Sequence, residues 1–327
     1  MTIRAGILGT GSAVPSQILS NADLEKMVET NDEWIVTRTG IRERRIAQPH
    51  EATSDFAIPA SQRALEMAGV RPEEVDLIIC ATVTPDMMFP ATACIIQDKI
   101  GATRAAAFDL SAACSGFLYG LSVAAGFIAS GQYRYVLVVA ADVLSRIVDY
   151  TDRSTAILFG DGAGAALVGP VEGDRGLLAF DLGADGSGGE FLSLPAGGSR
   201  MPASYASIDA HLHYLKMEGQ ETFKSAVKAM AASTEKVLER AGLKREDVDL
   251  MVPHQANIRI IEAARKRFGF DENKVVLTIH KYGNSSASSI AIALDESIRA
   301  GRAQPGHVLI LVGFGAGLTW GAAALRL

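Results

Sequence analysis

Cysteine is scarce in this chain: Cys80, Cys94 and Cys114 are the only three in 327 residues. An odd, sparse set with no C-x-x-C pair builds neither a disulfide framework nor a metal or redox knuckle. No stretch reaches the roughly 18 consecutive apolar residues that a membrane span needs. The segment Met1 to Gly9 lacks the long apolar region of a signal peptide and reads as a first strand, so a cytoplasmic protein with no membrane partner is expected. Positive charge is in deficit, 31 Lys and Arg against 37 Asp and Glu. The net charge of −6 argues against a general nucleic-acid binder, although a local basic patch is compatible with it. A dinucleotide fingerprint is missing too. Gly9-Thr10-Gly11 begins one, but Val14 stands at the third glycine position, and Gly160, Gly162 and Gly164 have the wrong spacing. His211-Leu212-His213 has no acidic or cysteine partner at recognisable spacing, so no metal is expected. Cys80 and Cys94 read as small buried apolar residues.

What is present is a large apolar fraction, 48% against 21% charged, enough for a substantial core in one large domain or two ordinary ones. The chain also repeats itself. Ala64 to Leu77 reads as a helix, a glycine stop, a turn and a strand start, and Val237 to Leu250 has the same layout. Ala129-Ser130-Gly131 leads into the apolar run Val136 to Ala140, as Arg299-Ala300-Gly301 leads into Val308 to Val312. The copies lie about 170 residues apart, which predicts two similar α/β halves, 1–170 and 171–327. Strands alternating with helices imply mostly parallel pairing between helical layers. The same offset carries Cys114 onto Asn284, each expected to begin an equivalent central helix. No Pro/Ser linker separates the halves. Gly183 to Gly189, with Pro195 and Pro202 beyond it, reads as an active-site or surface excursion.

Cys114 sits in Ser111-Ala112-Ala113-Cys114-Ser115-Gly116, at the start of a long apolar helical pattern. Unpaired N–H groups and partial positive charge at a helix start favour thiolate, the reactive form. Taken alone, a cysteine in an apolar run also reads as inert core. Val252-Pro253-His254-Gln255-Ala256-Asn257 and Tyr282-Gly283-Asn284-Ser285-Ser286 tilt the reading, because they supply a His and an Asn to accompany it.

These segments, with Asn31 to Ile41, Asp109 to Cys114, Phe159 to Ala165 and Gly313 to Gly321, resemble β-ketoacyl-acyl-carrier-protein synthase III over nearly the whole length. The resemblance implies an α/β thiolase fold, two pseudo-duplicated halves in a layered αβαβα core, and a Cys114-His254-Asn284 triad. It implies an acyltransferase that initiates fatty-acid synthesis. An acyl-CoA acylates Cys114 and CoA leaves. Malonyl-ACP then decarboxylates and condenses with the acyl group. CoA thioesters are substrates and no cofactor is implied. The Cys114 N–H and a second N–H near Ala316 would stabilise the oxyanion. Ala316 departs from the glycine often found there, but its backbone N–H is kept. His254 and Asn284 would donate to the enolate oxygen.

By the same resemblance Trp34 stacks on the CoA adenine with Arg153 on the other side, Arg38 contacts phosphate, and Gly219 and Asn257 lie near the pantetheine arm. Ile258 to Phe268 reads as an amphipathic helix, with Ile258, Ile261 and Phe268 inward and Arg259, Lys266, Arg267 and Arg265 outward. Such a run is compatible with a solvated face. The resemblance makes it a dock for acidic acyl carrier protein, with Lys224 a further contact. Phe89 matches the position that closes the primer pocket from the partner subunit of a homodimer. Three alternatives remain: a thiolase-fold relative in secondary metabolism, a cysteine hydrolase, since Cys-His-Asn also serves amide hydrolysis, and a non-catalytic scaffold. The acceptor separates the first from the leading reading. The duplicated helix starts and the Trp34 region argue against the second, and the intact triad against the third.

Overall fold

The computed structural model describes residues 4–327. Met1, Thr2 and Ile3, included in the expected first strand, lie outside the described residues. From the N-terminus the chain forms β1 (Arg4–Ala13), β2 (Gln17–Ser20), α1 (Asn21–Leu24), α2 (Asp32–Thr39), β3 (Glu43–Ile46), α3 (Thr53–Ala68) and β4 (Leu77–Ala81). It continues through α4 (Thr92–Ile100), β5 (Ala106–Leu110), α5 (Gly116–Ala129), β6 (Val136–Asp142), α6 (Arg153–Ala156) and β7 (Gly162–Val171). Then come β8 (Gly176–Ala184), β9 (Leu192–Ser193), α7 (Tyr205–Asp209), β10 (Lys216–Met217), α8 (Gly219–Ala241) and β11 (Leu250–Pro253). The chain closes with α9 (Ile258–Phe268), α10 (Ile279–Tyr282), α11 (Ser288–Arg299), β12 (Val308–Gly315) and β13 (Thr319–Arg326).

The repeated helix ends are alike: α3 stops at Gly69 and α8 at Gly242, both left-handed at φ 65°. The apolar runs β4, β6 and β12 are buried along their whole length, as strands covered on both faces must be. They lie in two sheets, ordered β1-β7-β6-β4-β5 and β8-β13-β12-β11. The two orders correspond strand for strand, except that the second sheet has no counterpart of β5 beyond an isolated bridge, Met251 to Val275.

Pairing is mixed rather than mostly parallel. β4 runs parallel to β5 and β6, and β11 to β12. β1·β7, β6·β7, β12·β13 and β13·β8 are antiparallel. For β12 and β13 the reason lies in the connection. Only the three-residue turn Ala316–Leu318 joins β12 to β13, too short for the crossover that parallel strands need.

Helices α5 and α11 lie between the sheets. Phe117, Leu118 and Leu121 of α5 and Ile290 and Leu294 of α11 share one buried cluster with Ile79 and Val138 of the first sheet and Leu309 and Leu311 of the second. Each such side chain contributes about 1.5–3 kcal/mol by leaving water. The outer face of the first sheet is covered by α3 and α4, that of the second by α8 and α9. The result is the layered αβαβα core of the thiolase fold. Gly9 and Gly11 find their use here. A side chain on Gly11 would meet the Ala60 carbonyl at 2.2 Å and one on Gly9 the Ala64 carbonyl at 2.4 Å, so these glycines let α3 lie against β1.

The repeat register differs from the expectation. α5 begins at 116 and α11 at 288, β6 at 136 and β12 at 308, a step of 172 in both cases. That step brings Cys114 onto Ser286, not Asn284. Asn284 stands two residues earlier, in an extended bridge to Phe159.

Candidate active site

One cavity of about 700 Å³ is lined by Cys114, His254 and Asn284, together with Trp34, Arg38, Gly219, Lys224, Asn257, Arg259 and Gly315. Cys114, His254 and Asn284 are buried, whereas Arg38, Lys224 and Arg259 are exposed, so the cavity runs from a dry end to a charged mouth.

Cys114 lies in the 3₁₀ turn Ala113–Ser115 that leads into α5. Burial pushes its thiol up to about 12, while a hydrogen bond with Ser286 pulls the other way and the Asp142 charge adds to the rise. The expected thiolate is therefore not the resting form: loss of water outweighs the helix-start position. The turn bonds Ser115 N to Ala112 O and Gly116 N to Ala113 O leave the Cys114 amide out. Gly315 presses against it. A side chain there would stand 2.5 Å from the Cys114 nitrogen and 3.1 Å from Ala113 Cβ. Thr319 Oγ1 donates to Ala112 O at 2.9 Å and Ser115 Oγ to Thr319 O at 3.2 Å, tying the Cys114 turn to the turn that carries Ala316.

His254 follows β11, its N–H on Val312 O at 2.8 Å. Burial holds its imidazole down to about 3, so it is neutral. Ser289 Oγ lies 2.7 Å from His254 Nδ1 and accepts the Gln255 N–H at 3.2 Å. A Ser289 hydroxyl that donates to Nδ1 leaves the ring proton on Nε2. The wholly buried Gln255 fixes the loop. Its amide donates to Pro253 O and Val276 O and accepts from the Thr278 and Ile279 N–H groups. Asn284 is oriented likewise. Its Oδ1 accepts the Ser286 N–H at 2.9 Å, so Nδ2–H remains as its free donor. Three residues beside the site have left-handed backbones without being glycine: Ala113 (φ 46°), Ser286 (φ 55°) and Leu318 (φ 45°). Strain of this kind collects where a loop is held in place for chemistry.

At the mouth, the Arg38 guanidinium lies 4.6 Å and the Arg153 guanidinium 4.8 Å from the Trp34 ring centroid. The gap expected between Trp34 and Arg153 is thus filled by Arg153 itself, which also donates to Glu29 O. Gly219 begins α8, and Asn257 caps α9 by accepting the Arg259 N–H at 2.8 Å. Lys224 pairs with Glu221 at 2.7 Å. On α9, Arg259, Lys266 and Arg267 are exposed as expected. Arg265 is not part of that face: 14% exposed, it is held by Glu262 at 2.7 Å and Glu272 at 3.3 Å. The core-facing residues are Ile260, Ile261, Ala264 and Phe268. Ile258 is half-buried against Gly40 instead of pointing into the core. Phe89, Arg153, Ala316, Lys266 and Arg267 are not among the cavity-lining residues. Phe89 is 84% exposed beside Met88, 80% exposed. His211 and His213 take separate partners, Asp149 and Ser207. Among the described residues no group of three or more His, Cys, Asp or Glu could hold a metal ion.

Sequence reasoning passed over Ser289, Gln255 and Asp142. Gln255 lay inside a motif already singled out. Ser289 looks like any helix serine and Asp142 like any strand end.

Comparison with known proteins identifies the family to which the chain belongs. The family profile described as 3-oxoacyl-[acyl-carrier-protein (ACP)] synthase III matches residues 108–186, and its C-terminal profile matches 238–327. The chain is 59% identical over 324 residues to the beta-ketoacyl-[acyl-carrier-protein] synthase III of Caldanaerobacter subterraneus subsp. tengcongensis, covering 99% of this chain and 98% of the relative. The crystal structure of 3-oxoacyl-[acyl-carrier-protein] synthase III from Aquifex aeolicus superposes with a TM-score of 0.92 at 47% identity, covering 99% and 100% of the two chains. The priming beta-ketosynthase of the R1128 polyketide pathway superposes with a TM-score of 0.93 at 39% identity, covering 100% and 98%.

Proposed function

Since the chain belongs to the beta-ketoacyl-[acyl-carrier-protein] synthase III family, we propose that its cavity takes an acyl-CoA and then malonyl-ACP in turn at Cys114. The enzyme is an acyltransferase, the initiating condensing enzyme of fatty-acid synthesis. In the first half-reaction the Cys114 sulfur attacks the acyl-CoA carbonyl. The amides of Cys114 and Ala316 meet the oxyanion, and CoA departs. In the second, malonyl-ACP loses carbon dioxide, and the electron pair left behind becomes an enolate on the thioester oxygen. His254 Nε2–H and Asn284 Nδ2–H donate to that oxygen. The carbanion attacks the acyl-Cys114 carbonyl, a 3-oxoacyl-ACP leaves, and the thiol is restored. Loss of carbon dioxide creates the carbanion without a strong base, so two neutral donors suffice.

The observation that carries this reading is the state of His254. It is buried, neutral and held at Nδ1 by Ser289, in the same cavity as Cys114 and Asn284. A hydrolase would need it as a base. The reaction so described uses no cofactor and no metal. The CoA adenine enters beside Trp34 as Arg153 swings off the ring, with Arg38 on phosphate and Gly219 and Asn257 along the pantetheine arm. Acyl carrier protein docks on Arg259, Lys266, Arg267 and Lys224. A homodimer is supported by β5, the unpaired edge of its sheet with Phe108 exposed, and by the exposed Met88 and Phe89. In it Phe89 would close the partner's primer pocket. The halves are residues 1–170 and 171–327, and the enzyme works in the cytoplasm. Among the described residues no helix is long and apolar enough to cross a membrane.

The test is intact-mass analysis after incubation with a panel of acyl-CoAs. A single acyl adduct mapped to Cys114 is expected, its mass reporting the preferred primer. Adducts elsewhere, or none with any acyl-CoA, contradict the reading.

A further inference from the structure

A buried thiol must give up its proton when it attacks, and His254 is ill placed to take it. Nδ1 is engaged by Ser289, and in the tautomer that donates to the enolate Nε2 already carries the ring proton. Behind the nucleophile three elements meet. A side chain on Gly116 would lie 2.9 Å from Ala81 Cβ and 3.5 Å from Ala287 Cβ, so the end of β4 and the starts of α5 and α11 are in contact. Thr82, Cys114 and Ser286 flank that junction in the chain. Asp142, the last residue of β6 and 1% exposed, closes the group. Its Oδ1 accepts from Thr82 Oγ1 at 3.1 Å, Val83 N at 2.8 Å, Thr84 N at 3.2 Å and Thr84 Oγ1 at 3.0 Å. Its Oδ2 is buried and, among the described residues, has no hydrogen-bond partner. The Ser286 hydroxyl stands beside both acidic groups, drawing down the Cys114 thiol and the Asp142 carboxyl alike, without closing a well-formed bond on Oδ2. A carboxylate kept only to tie down residues 82–84 would not need a second oxygen left bare beside the nucleophile's serine.

We propose that Asp142, acting through Ser286, receives the Cys114 thiol proton during acylation. As the Cys114 sulfur–carbon bond forms, the thiol proton passes to Ser286 Oγ and the Ser286 proton passes to Asp142 Oδ2. As the bond from the acyl carbon to the CoA sulfur breaks, the proton returns through the same hydroxyl to the departing thiolate. The half-reaction ends with Cys114 acylated, free CoA thiol, and Asp142 ionised again. Burial raises the Asp142 carboxyl from its ordinary value, which suits it to accept a proton briefly. The left-handed backbone of Ser286 has a use in this account, since it sets the hydroxyl between the two groups.

The proposal rests on the reading of Cys114 as the acyl carrier, and the experiment separates the two. Loading from acetyl-CoA is timed by intact mass in the wild type, Asp142→Asn and Ser286→Ala. Each variant is then loaded to completion and its carbon dioxide release from malonyl-ACP is timed. Asp142→Asn keeps the Oδ1 acceptor and is expected to slow loading by about 10²-fold, the usual contribution of a positioned acid or base. Ser286→Ala, which leaves all four Oδ1 bonds in place, is expected to do the same even if Asp142→Asn fails to fold. Carbon dioxide release should stay near the wild-type rate in both. Wild-type loading in either folded variant overturns the relay. So does an equal loss in both half-reactions, the mark of a merely structural role. A wild-type enzyme that takes no acetyl group on Cys114 overturns the functional reading itself.

Discussion

His254 and Arg259 stand five residues apart in the chain and line the same cavity, yet they belong to different kinds of site. Around His254 the polar side chains are held by fixed partners at one end and keep a free donor at the other. Ser289 holds the ring, Gln255 makes four hydrogen bonds, and the Ser286 amide pins Asn284. Around Arg259 the groups are exposed cations with few partners, and the Lys224–Glu221 pair is a surface contact of the kind worth little. The dry end is suited to stabilising charge that develops at one point, because its donors need not reorganise. The open end is suited to attracting a charged partner over a distance, which salt can weaken. Under the proposed function, the contrast divides chemistry from delivery along the length of one cavity.

The contrast can be broken first at the nucleophile. Cys114→Ala is expected to abolish acyl loading and condensation together, read by intact mass and product formation. His254→Ala and Asn284→Ala each remove one donor and should cost about 10²–10³ in the decarboxylation rate, with acyl loading much less affected. Ser289→Ala leaves His254 in place but frees its ring. A loss of about tenfold in decarboxylation follows from about 1–1.5 kcal/mol for one hydrogen bond, with loading unchanged.

The other end breaks differently. Arg259→Glu with Lys266→Glu should weaken the apparent affinity for malonyl-ACP several-fold at low salt and leave acyl-CoA loading intact. The difference should fade as the Debye length falls from about 10 Å at 0.1 M to about 3 Å at 1 M. The smallest expected effect is an absence. His254 is held down to about 3 from an ordinary 6.5, so decarboxylation should show no inflection near 6.5 from this residue. The unfolded chain takes up the proton that the folded chain refuses. His254 therefore lowers stability as pH falls from 6.5 toward 3, a trend that thermal melting of wild type against His254→Ala can isolate.

Much of this was legible beforehand, for identifiable reasons. Cys114, His254 and Asn284 sit in contiguous motifs, and the glycine stops at Gly69 and Gly242 announce the repeat. The 172-residue register was not legible, because the repeated segments match at offsets of 170 (Gly131 and Gly301), 172 (Val136 and Val308) and 173 (Ala64 and Val237), and the first of these places Cys114 on Asn284. Left-handed backbones at Ala113, Ser286 and Leu318 carry no glycine to signal them. The suppressed thiolate is a property of burial, which depends on the turn around Gly315 closing over Cys114. Arg265 read as a free cation because one of its partners, Glu272, lies beyond the end of α9. The antiparallel pairing of β12 with β13 was hidden in the shortness of one turn, Ala316–Leu318.

The division of the cavity is tested most directly in a single turnover. The enzyme is loaded with an acetyl group, saturating malonyl-ACP is added, and carbon dioxide release is timed in Asn284→Ala and in Arg259→Glu/Lys266→Glu. The account predicts a fall of about 10²-fold or more in the first and the wild-type rate in the second, since saturation makes up for weaker docking. Wild-type release in Asn284→Ala, or a comparable fall in the double variant at saturation, would contradict it.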